Sequence, residues 1–279
     1  SMDIWQSASN SNEYLNEGWI GRYLDAQCAG CERPTQALEV DDSLSLALKG
    51  THTKALAMKN PSRLLNPADE AFFKQINKNH EPAGADQPVD YLYKTLTDTL
   101  SSAAYIQQQS RLHPSAASYP KTEIGSSLRT IASLIFSDIN TSVYYLSVGS
   151  FDTHVAQNNK QARLFTEIDD SLKVFVKDLK DNNRFQDVLI MSFSEFGRRV
   201  AQNAGNGTDH GTANNMFFIS GGLKTAGILN DMPDLADLAD GDLKFSVDFR
   251  TVYATVLKKW LGADDARILG RKFNHFDFI

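Results

Sequence analysis

Apolar residues recur along this chain at two spacings, which separate helical from extended segments. A repeat of three to four residues, as at Ile124, Leu128 and Ile131, places apolar side chains on one face of a helix. For one segment the pair Asn66-Pro67 adds a helix start signal. Together these patterns predict helices over 18–28, 66–79, 88–112, 123–137, 155–179 and 248–261.

Short apolar runs and alternating positions predict strands between these helices. The predicted strands lie at 44–48, 54–58, 143–148, 188–192 and 216–220. From residue 143 onward strands alternate with helices, an order that is typical of an α/β fold with a mainly parallel sheet. We therefore expect one α/β domain over 1–279, with a mostly helical insertion near 60–140.

Composition narrows the classes of protein that fit this pattern. The chain has 279 residues, 42% of them hydrophobic, which is enough for a sizeable core. A net charge of -6 argues against nucleic acid as the main partner, because no basic excess is present to neutralise phosphates. No apolar stretch approaches the roughly 18–20 residues that cross a bilayer. The short polar start also lacks the features of an export signal.

Acidic and imidazole side chains gather around the ends of three apolar segments in the second half of the chain. They are Asp152 and His154 after 143–148, Glu195 after 188–192, and Asp209 with His210 before 216–220. Ligands of open α/β sheets collect at the carboxyl ends of the strands. Carboxylates and imidazoles are ligands for Zn²⁺ or Mn²⁺. The three segments together predict a site for a divalent metal, although each pair alone also fits a histidine that is hydrogen-bonded to a neighbouring aspartate.

Two further residues next to this cluster are candidates for a catalytic role. Glu195 could act as a general base instead of a metal ligand, and Arg198 could bind an anionic group through its two-pronged guanidinium. The alternative for Arg198 and Arg199 is a solvated surface turn. Both interpretations stay open at the level of the residues.

Cys28 and Cys31 form a CxxC pair. Such a pair could be a redox dithiol, half of a zinc site or a local disulfide. Without a second CxxC or a nearby histidine, structural zinc is disfavoured. A disulfide or two idle thiols is the favoured interpretation.

Six segments of the chain form a recognisable set of motifs: Ser192–Arg198, Asn206–Gly211, Gly221-Gly222, Gly149–His154, Gly18–Leu24 and Val247–Ala254. They resemble segments of one bacterial family, the domain of unknown function 1501. The resemblance implies an alkaline-phosphatase-like or sulfatase-like fold, in which a mainly parallel central sheet is flanked by helices. It also implies a metal-dependent hydrolase of phosphate or sulfate esters.

The resemblance assigns roles to the candidate residues. Asp152 and His154 would supply ligands of one metal, His210 would match the late metal-binding histidine, and Glu195 would match the acid after the penultimate strand. Two features depart from the pattern of the wider alkaline phosphatase and sulfatase superfamily that the resemblance implies. The spacing of Asp152 and His154 is short, and Phe196 stands where a histidine is usual, so a ligand is missing unless Asp209 substitutes.

The resemblance also implies sequence upstream of this chain. Family members usually begin with an export signal and a strand that ends in another metal-binding acid, and the nucleophile would fall in that region. We therefore expect the C-terminal portion of a longer periplasmic or secreted protein, with the N-terminal strands missing. Whether this portion alone keeps the Zn²⁺ or Mn²⁺ stays open.

The expected substrate is a small anionic ester or a sulfated or phosphorylated glycan. The alternative function is a non-catalytic cell-envelope protein that binds a ligand such as a glycan and has a degenerate metal site. Redox chemistry at Cys28 and Cys31 is a third option. The sequence does not give the oligomeric state.

Overall fold

The computed structural model describes residues 1–27, 34–52, 55–59 and 102–279. The predicted helix over 66–79, the first part of the helix predicted over 88–112, and Cys28 and Cys31 lie outside these residues. The same holds for residues 60–101 of the expected insertion.

A small parallel sheet lies at the centre of the fold. Strand β1 (Ala37–Glu39) lies between β2 (Leu56–Ala57) and β3 (Val143–Tyr145), and both neighbours run parallel to it. All three residues of β1 are buried, as expected for a central strand of a parallel sheet that is covered on both faces. Strands β2 and β3 fall within the segments predicted at 54–58 and 143–148, so the mixed α/β class is confirmed.

Helices account for most of the regular structure among the described residues. They are α1 (Met2–Ser7), α2 (Trp19–Gln27), α3 (Glu123–Phe136), α4 (Gln157–Asp181), α5 (Phe249–Thr255) and α6 (Asp265–Leu269), and residues 102–110 are also helical. The start of α3 is fixed by the Thr122 side chain, which accepts a hydrogen bond from the Gly125 amide. The helix predicted over 248–261 is divided into α5 and a π-helical turn, Val256–Trp260.

The helices cover the two faces of the parallel sheet. Tyr144 of β3 packs with apolar residues of α3 and α4, whereas its neighbours Val143 and Tyr145 pack with residues of α2 and α5. Successive side chains of a strand point to opposite faces. The sheet therefore lies between a layer formed by α3 and α4 and a second layer formed by α2 and α5.

The remaining strands of the described residues are short and antiparallel. Strand β4 (Ile190–Met191) pairs with β7 (Phe218–Ile219), β5 (Gly197–Arg198) with β6 (His210–Gly211), and β8 (Leu238–Ala239) with β9 (Asp242–Leu243). The strands predicted at 188–192 and 216–220 are present, but they are paired with each other rather than with the parallel sheet.

The prediction of a strand at 44–48 is wrong, because residues Leu46–Leu48 form a 3₁₀ turn. This turn packs directly against α2. A Cβ atom on Gly18 would lie 2.1 Å from the Leu46 carbonyl oxygen, and one on Gly21 would lie 2.1 Å from that of Lys49. The backbone of residues 46–49 packs closely on these two glycines, and this packing sets the local conformation. The alternation of apolar residues in the sequence does not reveal such a contact.

No helix among the described residues has both the length and the apolar character that a bilayer crossing requires.

Candidate metal centre

The loop that joins β3 to α4 presents Asp152 and His154 on the same side of the chain. The residue between them, Thr153, is 1% exposed, and its hydroxyl accepts a hydrogen bond from the Gln161 amide of α4 at 3.1 Å. With Thr153 directed inward, its two neighbours are directed outward together. The short Asp-x-His spacing therefore brings both side chains to one point, with Asp152 Oδ1 2.9 Å from His154 Nε2.

His210 reaches the same point from the hairpin of β5 and β6. In this hairpin Arg198 lies opposite His210, and Gly197 lies opposite Gly211. A Cβ atom on Gly197 would lie 1.5 Å from the Ala213 carbonyl oxygen, so the close approach of the hairpin to the following segment requires glycine here. The ring of Phe196 stacks on His210 with a centroid separation of 3.8 Å and an interplanar angle of 8°. This stacking restricts the orientation of the imidazole.

Asp152, His154 and His210 converge on one small volume. Oδ1 of Asp152 lies 2.8 Å from Nε2 of His210, and the Nε2 atoms of the two histidines are 3.3 Å apart. One potential ligand atom from each of the three residues lies within 4.8 Å of the others. Their side chains are 61%, 44% and 45% exposed, in the order Asp152, His154, His210, so solutes can reach the cluster.

Asp209 contacts the opposite edge of the His154 ring. Its Oδ1 atom lies 3.1 Å from His154 Nδ1. Because a carboxylate can only accept a hydrogen bond, a neutral His154 carries its proton on Nδ1 and keeps a lone pair on Nε2, the atom that faces Asp152 and His210. Asp209 is thus placed as an orienting group for His154, and its role as a direct metal ligand stays a prediction.

Asn203 holds the loop around Asp209 and was not identified from the sequence. Its amide nitrogen donates to the His154 carbonyl oxygen at 3.1 Å and to Asp209 Oδ1 at 3.2 Å, while its oxygen accepts from the amides of Gly205 and Gly207. A Cβ atom on Gly207 would lie 2.4 Å from the backbone of His154. The closely spaced asparagines and glycines of residues 203–207 are the sequence signal that indicates such a turn.

Arg198 links the loops of the centre. Its guanidinium donates to the carbonyl oxygens of Phe151 and Thr208 and lies 3.8 Å from Asp152 Oδ1. The side chain is 18% exposed. Much of its hydrogen-bonding capacity is therefore used within the protein, and its predicted role as an anion clamp stays a prediction.

Glu195 lies outside the three-residue cluster. It is half-buried, and its Oε2 atom lies 3.5 Å from the hydroxyl of Ser1. The next residue, Phe196, provides the ring that stacks on His210. The structure thus brings together Asp152, His154 and His210 with Asp209 beside them, and the metal-binding or basic role of Glu195 stays a prediction.

Hydrogen bonds favour the ionised form of the two aspartates of the centre. The bond with His210 lowers the pKa of Asp152, and the nearby His154 and Arg198 act in the same direction. Bonds from Asn203 and His154 lower the pKa of Asp209. Both carboxylates therefore carry their charge at neutral pH, which is the form that binds a cation.

One of three comparisons with known proteins places the chain in a family. No curated protein and no solved structure matches it. Residues 3–275 match a family described as "Protein of unknown function (DUF1501)". This match covers nearly the whole chain, and the protein therefore belongs to the DUF1501 family.

Proposed function

We propose that this protein is a metal-dependent hydrolase of phosphate or sulfate esters. The observation that carries the proposal is the convergence of Asp152, His154 and His210, whose potential ligand atoms lie within 4.8 Å of one another. These residues come from two distant parts of the chain. An exposed point that combines one carboxylate with two imidazoles is suited to a divalent cation such as Zn²⁺ or Mn²⁺.

The hydrogen bonding of His154 supports a cation at this point. The contact with Asp209 favours the Nδ1–H form of His154, so that its bare Nε2 faces an ionised carboxylate oxygen at 2.9 Å. A lone pair and a carboxylate oxygen repel each other unless a proton or a cation lies between them. A carboxylate behind a metal-binding histidine is the usual way in which proteins fix the ring for metal binding. The donor set therefore fits the metal.

The number of candidate ligands among the described residues fits a catalytic site better than a structural one. Structural zinc sites are closed by four protein ligands, whereas catalytic sites have three and leave a position for water or substrate. Asp152, His154 and His210 are three such residues, and all are exposed. A metal bound there would polarise an ester oxygen and lower the pKa of a bound water molecule.

The residues around the cluster would position it for this chemistry. Asp209 would hold His154, Phe196 would hold His210, and Arg198 would fix the loops of residues 151 and 208 relative to Asp152. Glu195 is the candidate for a further ligand or a general base. The substrate would be a small anionic ester or a sulfated or phosphorylated glycan, and we propose a periplasmic or secreted location for the protein.

The second candidate function is a cell-envelope protein that binds a glycan without catalysis. It is favoured by the position of Glu195 next to Ser1 and by the phenyl ring of Phe196 against His210, since both differ from the ligand set that the family pattern implies. In this case the three-residue cluster would be a reduced form of a catalytic metal site.

Metal binding by the purified protein tests the proposal. Isothermal titration calorimetry with Zn²⁺ and Mn²⁺ is expected to give one site, which Asp152→Ala and His210→Ala abolish. His113→Ala and Asp170→Ala, at exposed positions outside the cluster, are matched controls and are expected to bind normally.

Hydrolysis of 4-nitrophenyl phosphate and 4-nitrophenyl sulfate then distinguishes the two functions. Metal-dependent turnover that Asp152→Ala removes supports the hydrolase. A protein that binds no metal, or whose turnover is unchanged in both cluster variants, contradicts it.

A further inference from the structure

An open groove adjoins the metal centre along the first turns of α4. It has a volume of about 560 Å³ and is lined by Asp152 and Thr153 of the preceding loop and by Asn159, Lys160 and Arg163 of the helix. Asp152 is shared between this groove and the three-residue cluster. A molecule held at the cluster by one end can therefore extend into the groove.

The helical wall of the groove is cationic. Lys160 and Arg163 are three residues apart on α4, a spacing that places both side chains on the same side of a helix. The chain as a whole has a net charge of -6, so this local positive charge does not follow from its composition. The charge of the wall is opposite in sign to that of the ester at which the centre would act.

Neither cation is closely neutralised within the described part of the chain. The nearest acid to Arg163 is Glu167, with 3.7 Å between Nε and Oε1, and the Arg163 side chain is 76% exposed in this pair. Such exposed helix pairs are weak. No carboxylate of the described residues forms an ion pair with Lys160. Both side chains are therefore available to a ligand.

We propose that Lys160 and Arg163 bind a second anionic group of the substrate, so that the preferred substrate is an ester with at least two phosphate or sulfate groups. This inference rests on the proposed function, because the first anionic group is held at the metal centre. The ammonium of Lys160 and the guanidinium of Arg163 would each form charge-assisted hydrogen bonds with the second group. The two residues thus determine specificity and take no part in bond cleavage.

A pair of probes with one and two phosphate groups tests the inference. Calorimetry of the Zn²⁺-loaded full chain compares the affinities for fructose 1,6-bisphosphate and fructose 6-phosphate. The affinity for Zn²⁺ is measured separately in each variant. We expect the bisphosphate to bind about tenfold more tightly, which corresponds to about 1.4 kcal/mol. In Lys160→Ala/Arg163→Ala the preference is expected to fall to twofold or less, the value that two equivalent phosphates give by statistics alone.

Two control variants separate the groove from general charge effects. Lys173→Ala/Lys177→Ala removes two exposed cations from later turns of the same helix and is expected to keep the full preference. Arg163→Lys keeps the positive charge and is expected to keep most of the preference for the bisphosphate. Binding of Zn²⁺ should be the same in all of these variants.

The outcomes for the groove and for the metal centre are distinguishable. A protein that binds Zn²⁺ but shows no preference beyond twofold overturns the groove inference and leaves the hydrolase proposal intact. A protein that binds no metal overturns the hydrolase proposal. It also overturns the groove inference, because the first anionic group would then have no metal centre to bind.

Discussion

His154 Nδ1 lies 3.1 Å from Asp209 Oδ1, and this contact determines which edge of the imidazole faces Asp152 and His210. Asp209 is in turn held by the Asn203 amide at 3.2 Å. A chain of hydrogen bonds therefore runs from the loop of residues 203–207 to the candidate metal position. Groups that act on a metal only through its ligands are expected to affect affinity strongly, because they fix the tautomer and the orientation of the ring.

Asp209→Asn is expected to weaken Zn²⁺ binding by about 10- to 100-fold, the range typical of such supporting groups. An asparagine amide can donate to Nδ1, which would shift the proton of His154 to Nε2 and block metal binding there. Competition titration against a chelator measures the change. Asp170→Asn, an exposed residue of α4, is the matched control, and equal affinities of both variants for Zn²⁺ would refute the orienting role.

Gly207→Ala is expected to reduce both stability and metal affinity. The new methyl group would lie 2.4 Å from the carbonyl carbon of His154, and backbone atoms cannot move away as a flexible side chain could. Overpacking of this kind typically costs about 1–3 kcal/mol. Urea unfolding and Zn²⁺ titration check the two effects. Gly149→Ala is the control because its Cβ would meet nothing within 4 Å, and a similar loss there would contradict the steric explanation.

Much of the fold follows from local patterns, but the pairing of its strands does not. The helices α3 and α4 lie close to their predicted ranges because apolar periodicity and caps such as Thr122 are local signals. Strands β4 and β7 lie within predicted segments, yet they pair antiparallel with each other. Pairing depends on contacts between distant residues, which strand periodicity does not contain. The same limit explains the 3₁₀ turn at Leu46–Leu48, whose conformation depends on α2.

The candidate site also contains residues that the sequence identifies and residues that it does not. Asp152, His154 and His210 were identifiable because these residue types are typical metal ligands and lie near strand ends. Asn203 was not identified, since its function is to hold a loop by backbone contacts. The stacking of Phe196 on His210 was also missed, because an aromatic residue in a strand–loop segment usually indicates packing and not contact with a ligand residue.

Phe196→Ala is expected to weaken Zn²⁺ binding by about two- to tenfold. The stacked ring limits rotation of His210, and aromatic pairs contribute about 0.5–1.5 kcal/mol beyond their buried area. Phe196→Tyr keeps the ring and should restore binding to the wild-type value. If both variants bind equally weakly, the ring does not act by stacking, and this explanation of the site is wrong.

Glu39 is a buried acid at the carboxyl end of the central strand β1, 1% exposed. Its carboxylate accepts hydrogen bonds from the backbone amide and the hydroxyl of Ser45. Burial disfavours the charged form and raises the pKa of Glu39 above its ordinary value of 4.5, although the bonds from Ser45 partly oppose the shift. The folded protein therefore keeps this proton at pH values at which the unfolded chain has released it.

The free energy of unfolding should consequently contain a contribution that decreases as pH rises from about 4.5 through the raised pKa of Glu39, since the folded state binds the extra proton. Glu39→Gln cannot ionise and retains an oxygen for the Ser45 amide, so it should gain stability relative to the wild type as pH rises from 4 to 8 in urea unfolding. Asp277→Asn should show the opposite trend at lower pH. Hydrogen bonds from Lys259 and Lys224 lower the pKa of Asp277 from its ordinary value of 3.8, so the wild type loses that contribution as pH falls below 3.8 and through the lowered pKa. A difference between Glu39→Gln and wild type that is constant with pH would contradict the buried-acid explanation.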